Sequence, residues 1–106
     1  MMNTTYNKLI RDKIPQIIEK SGKSCICETL SDELYIKMLN EKLQEEFNEY
    51  LANGSVEELA DMGEVMHAIL EYKNVSIEEF QRVRLEKLES KGGFKKRIFL
   101  KEVIEK

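Results

Sequence analysis

Serines that can start helices and glycines that can end them punctuate this chain so regularly that helices are the natural filling between them. Ser31, followed by Asp32 and Glu33, offers an N-cap with acids in the favourable first turn, and Asn53-Gly54 offers the matching stop. Ser55-Val56-Glu57-Glu58 then reads as a capping box for a helix running to about Lys73, and Ser76-Ile77-Glu78-Glu79 repeats it for a helix ending at Lys91-Gly92-Gly93. A turn as short as Asn53-Gly54 forces the helices on either side of it to be antiparallel neighbours.

The ends of the chain are less strongly marked. Ile14, Ile17 and Ile18 recur at helical spacing, with Asp12 as a possible cap, Pro15 in the first turn and Gly22 as the stop. Residues 24–29 lean towards a brief strand or extended segment, with Cys25 and Cys27 expected as two ordinary thiols on opposite faces. The closing stretch holds Ile98, Leu100 and Val103, which fits a short extended segment near 97–101, a helical tail or an arm onto a partner subunit. The expected fold is an all-α antiparallel bundle of about four helices, one domain over residues 1–106, assembling as an oligomer because its apolar arcs are too wide for a small monomer to cover.

Composition narrows the function classes. Among 106 residues, charged side chains make up 35% and apolar ones 42%, a balance typical of helix-rich water-soluble domains. A net charge of −3 argues against non-specific nucleic-acid binding, and no apolar run suggests a membrane span or a secretion signal. The Cys25-x-Cys27 pair lacks the partners of a zinc site or a disulfide framework, so a reducing cytoplasmic setting is expected.

The acids carry the chemistry. At about 100° per residue, Leu39, Leu43, Phe47 and Tyr50 define an apolar stripe on the long helix; Glu46 falls inside it, Glu49 and Lys42 at its edge, and Glu45 points away into solvent. On the next helix, Leu59, Met62, Val65, Met66, Ile69 and Leu70 span a broad apolar arc that includes Glu58 and borders Asp61. Acids on apolar faces are costly when ionised and alone. Either these residues belong to ordinary acidic helix surfaces, or Glu46, Glu49, Glu58 and Asp61 converge on a divalent cation; an all-oxygen set suits Mg²⁺ or Mn²⁺.

The pattern Glu45-Glu46-x-x-Glu49 with Glu58-x-x-Asp61 resembles the EExxE…ExxD signature of the MazG-like all-α nucleoside triphosphate pyrophosphohydrolases. Tyr6-Asn7-Lys8-Leu9-Ile10-Arg11-Asp12-Lys13-Ile14-Pro15 and Gly92-Gly93-Phe94 with Ile98 and Leu100 further resemble the start and end of the phosphoribosyl-ATP pyrophosphohydrolase-like group. The resemblance implies Mg²⁺ held by Glu46, Glu49, Glu58 and Asp61, hydrolysis between the α and β phosphates of a nucleotide, and a homodimer or higher homo-oligomer. The spacer between Glu49 and Glu58 is shorter than in the usual pattern, which leaves the metal geometry intact but the substrate open.

Phosphate chemistry also asks for protein cations. Arg84, Lys87 and Lys91 are expected as a basic ridge on the core-facing side of the last helix. By their place in the resembled signature, Lys8, Arg11 and Lys13 form a second set for phosphate or subunit contact. Glu49, at the stripe edge, is the candidate for orienting the attacking water. The competing expectation is a non-catalytic helical dimerisation or regulatory module that keeps the scaffold.

Overall fold

The computed structural model describes residues 2–106 and contains four helices and, among the described residues, no strand. They are α1 (Ile14–Lys20), α2 (Asp32–Asn53), α3 (Val56–Tyr72) and α4 (Ile77–Lys91). The chain divides into two compact units, Met1–Asn74 and Val75–Lys106.

The first unit is organised by the α2–α3 hairpin. Ser31 Oγ accepts from the Leu34 backbone N–H at 3.4 Å, so α2 starts where its N-cap allows. It ends at Gly54, whose φ of 66° is left-handed and whose N–H returns to the Tyr50 carbonyl. Ser55 then caps α3 by accepting from Glu58 N–H at 3.4 Å. Chain reversal over two residues lays α3 back along α2, and at the opposite end Tyr35 and Tyr72 meet edge-to-face with ring centroids 6.1 Å apart.

Packing along this hairpin is thin. Leu39, at 3% exposure, and Val65, at 7%, are the buried apolar residues, while Leu43, Tyr50, Met62, Ile69 and Leu70 are half-buried. Phe47 was expected in the stripe but stands 40% exposed, and Leu59 is 48% exposed. One partner helix covers only part of each apolar arc, so stripe members rotated away from α3 or α2 stay in solvent.

Several expectations at the ends are corrected. Asp12 does not cap α1; the N-cap position falls to Lys13, which makes no side-chain capping bond. Residues 24–29 and 97–101 contain no strand, because β-leaning residues need a neighbouring strand to pair with and none is present among the described residues. Nor do Cys25 and Cys27 point to opposite sides: their Sγ atoms lie 3.8 Å apart, as residues two apart in extended chain share a face. Desolvation, then the neighbouring Cys27 thiol, pushes the Cys25 thiol pKa up.

In the second unit Ser76 caps α4 by accepting from Glu79 N–H at 3.1 Å, and Arg82 joins Glu79 to Glu86 along the helix surface. The Arg82 guanidinium holds the Glu79 carboxyl below its ordinary pKa. None of the residues of α4 is buried.

Two glycines of the hairpin should respond oppositely to alanine. A Cβ at either Gly54 or Gly63 would meet nothing within 4 Å, so backbone conformation alone decides the sign. Gly54→Ala should destabilise by about 1 kcal/mol through its left-handed φ. Gly63→Ala, inside α3, should stabilise by roughly 0.5 kcal/mol. Urea unfolding monitored by circular dichroism measures both; a neutral Gly54→Ala would contradict the left-handed turn.

Candidate metal centre

The buried seam of the hairpin changes character towards its turn. Glu46 follows Leu39 by seven residues, and Glu58 precedes Val65 by seven, which is about two helical turns and returns each side chain to within about 20° of the buried apolar one. The acids therefore inherit the inward direction. Glu46 is 7% exposed, the one buried charged residue among the described residues, and Glu58 and Asp61 are half-buried.

Glu46, Glu58 and Asp61 each bring one carboxylate oxygen into a group whose members lie within 4.8 Å of one another. Three negative charges this close repel strongly in a partly desolvated site. Two cations answer them from within the protein. Arg11 Nη2 contacts Asp61 Oδ1 at 2.7 Å, and Lys42 Nζ lies 3.5 Å from Glu46 Oε1. Glu58 Oε1 accepts from Asn53 Nδ2 at 3.3 Å across the helix turn. The glutamate of the expected capping box is thus turned into the site instead of back towards Ser55, and only the serine half of the box is formed.

Compensation is incomplete. Glu46 Oε2 and Glu58 Oε2 are buried and have no hydrogen-bond partner among the described residues. A buried carboxylate oxygen left alone costs a few kcal/mol, a cost that a coordinated hard cation removes. The donor set, carboxylate oxygen from three side chains, fits Mg²⁺ or Mn²⁺. Glu49 lies outside this group: three residues beyond Glu46, it is rotated about 60° around α2 and is exposed.

An open cleft of about 280 Å³ adjoins the acids and is lined by Glu46, Asp61, Lys8, Arg11, Lys42 and the half-buried Ile10 and Ile14. Its walls thus combine carboxylates with three cations, the pairing that a metal–phosphate ligand requires. Glu45, expected in solvent, is instead half-buried and bridges Lys8 at 3.5 Å and Lys42 at 3.6 Å. The Lys42–Glu45 spacing of three residues was the available signal, since it makes them neighbours on one helix face.

The remaining sequence-designated cations are placed differently. Lys13 stands exposed at the start of α1, outside the lining of the cleft. Arg84, Lys87 and Lys91 belong to the second unit and are exposed there. They do not form the core-facing ridge expected of them, because α4 buries none of its residues; Arg84 donates to Gln81 Oε1 at 2.8 Å along its own helix.

Occupation of the acid group can be read thermally. Mn²⁺ at a hundredfold excess over its Kd should raise the wild-type Tm by roughly 10 °C, from a stabilisation of about 2.7 kcal/mol. Glu46→Gln should match or exceed wild-type stability without the ion, because the unpartnered buried charge is gone, and should lose the Mn²⁺ shift. Differential scanning fluorimetry with and without Mn²⁺ checks both; an unchanged shift in the variant would contradict the ligand assignment.

No family model matches the chain, and no solved structure matches it. Over 45 residues the chain is 44% identical to an uncharacterized protein of Mycolicibacterium smegmatis. That stretch is 42% of this chain and 46% of the relative, so the match spans less than half of either. No helix among the described residues is long and apolar enough to cross a membrane.

Proposed function

We propose that the protein is a Mg²⁺-dependent nucleotide pyrophosphohydrolase of the MazG-like kind, cleaving the α–β phosphoanhydride of a nucleoside triphosphate or related nucleotide to monophosphate and pyrophosphate. The observation that carries the reading is the convergence of Glu46, Glu58 and Asp61 within 4.8 Å, with buried unpartnered oxygens on two of them, beside a cation-lined cleft. Mn²⁺ is an alternative to Mg²⁺ at the same oxygen ligands. A house-cleaning role on surplus or non-standard nucleotides in the cytoplasm belongs to the same reading.

A divalent cation held by Glu46, Glu58 and Asp61 would supply charge neutralisation for phosphate oxygens and an acidified or oriented water. The chain itself supplies the surroundings. Lys8, Arg11 and Lys42 line the cleft where phosphates would lie, and Ile10 and Ile14 give it an apolar floor. Glu49, the residue the sequence suggested for orienting the attacking water, is exposed one turn beyond Glu46 and outside the converged group, which leaves that role to one of the converged carboxylates.

Assembly of copies is part of the same reading. On α4, Leu85 and Leu88 are 50% and 45% exposed, and beyond it Phe94 and Phe99 are 96% and 84% exposed. Large apolar side chains left open in this number are what a partner subunit would cover. A homodimer or higher homo-oligomer would cover these side chains.

The test is a panel of nucleoside triphosphates incubated with Mg²⁺ and assayed for pyrophosphate and monophosphate. Wild type should release both from at least one member, and Glu46→Gln or Asp61→Asn should lower the rate by on the order of 10²-fold or more. Variants as fast as wild type would overturn the metal assignment. Silence of the wild type across the panel would favour the non-catalytic module.

A further inference from the structure

Arg11 and Lys42 answer the same acid group, yet they are held very differently. The Lys42 side chain is 18% exposed and fixed between Glu45 and Glu46, one and the same helix supplying all three residues. Arg11 comes from the non-helical segment before α1, its side chain is 56% exposed, and its contact to Asp61 spans fifty positions of sequence. Its backbone is anchored independently of that contact: Ile10 and Ile14 are half-buried on either side, and the Arg11 carbonyl accepts from Ile14 N–H at 3.1 Å. The guanidinium can therefore turn within the cleft of about 280 Å³ that it lines, without disturbing the segment that carries it.

Resting on the metal-site reading, we propose that Arg11 is an exchangeable counter-ion: it occupies Asp61 while the acid group holds no cation, is displaced when a divalent ion arrives, and then binds the phosphates of the ligand. Charge dictates the exchange. Glu46, Glu58 and Asp61 carry three negative charges, of which Arg11 and Lys42 offset two, so the empty group is nearly balanced. Entry of a divalent ion beside Asp61 places two positive groups against one carboxylate, and the exposed, long guanidinium is the one free to leave. A phosphate in the same cleft offers it the bidentate geometry that guanidinium matches best. The second oxygen-lined contact, Lys42 to Glu46, stays in place because its side chain has no comparable freedom.

The alternative is that Arg11 remains on Asp61 as a support for a ligand of the metal, and the two differ in the sign of one measurement. A supporting partner raises metal affinity, so its removal weakens binding; a competitor lowers it, so its removal tightens binding. Isothermal titration of Mn²⁺ alone into full-length protein should give roughly three- to tenfold tighter binding for Arg11→Gln than for wild type, with Arg11→Lys close to wild type. The difference should shrink at high salt, since the Arg11–Asp61 pair is half-exposed. With Mn²⁺ present, imidodiphosphate should bind Arg11→Gln at least about tenfold more weakly than wild type, with partial recovery in Arg11→Lys. Arg11→Gln binding Mn²⁺ as wild type does, or more weakly, overturns the exchange, and imidodiphosphate affinity equal to wild type overturns the destination assigned to Arg11. Neither result touches the metal site itself, which fails separately if Glu46→Gln keeps wild-type Mn²⁺ affinity. A wild type that binds no Mn²⁺ overturns both readings.

Discussion

Mutual repulsion among Glu46, Glu58 and Asp61 is the constraint around which the first unit is arranged. These carboxylates stand at positions where the periodicity of two helices calls for apolar side chains, and their charge has to be met there. Arg11 and Lys42 reach them, and two buried oxygens are still left without a partner among the described residues. Apolar residues in these places would give a more stable hairpin. Acids in these places are what a bound cation would require.

The turn makes the convergence possible. Gly54 ends α2 in a left-handed conformation and Ser55 begins α3 at the next residue, so acids on the last turns of one helix and the first turns of the other are brought side by side. Leu39 and Val65 fix the rotation of the two helices further along the seam, and Tyr35 against Tyr72 closes its far end. Geometry at the acids thus depends on a few contacts and not on an extensive core.

What was legible in the chain was local. Ser31, Ser55 and Ser76 cap the helices they announce, and Gly54 and Gly92 end them, because each acts through its own neighbours in sequence. Glu46 was legible as a buried acid because it shares an angle with Leu39. Phe47 was misread because the angular stripe says which face is apolar and not how much of it a single partner helix covers. At 24–29 and 97–101 only the strand alternative failed, for a related reason: β-propensity is a statement about fitting beside another strand. The contact of Arg11 with Asp61 had no local signal at all, since it joins an irregular segment to the second turn of α3, fifty positions away. Glu49 was grouped with Glu46 by spacing, but spacing does not say whether a three-residue step stays on the seam: on α3 it keeps Asp61 with Glu58, and on α2 it leaves Glu49 exposed and outside the converged oxygens.

The central claim is that one divalent cation is held by Glu46, Glu58 and Asp61, and Mn²⁺ tests its location directly because the ion broadens nearby nuclear resonances. In a ¹⁵N-labelled sample titrated with substoichiometric Mn²⁺, amide signals around residues 46, 58 and 61 should broaden first, together with that of Arg11. Broadening centred on exposed acids elsewhere, such as Glu79 and Glu86, or spread evenly over the acidic surface, would contradict a site at the α2–α3 turn.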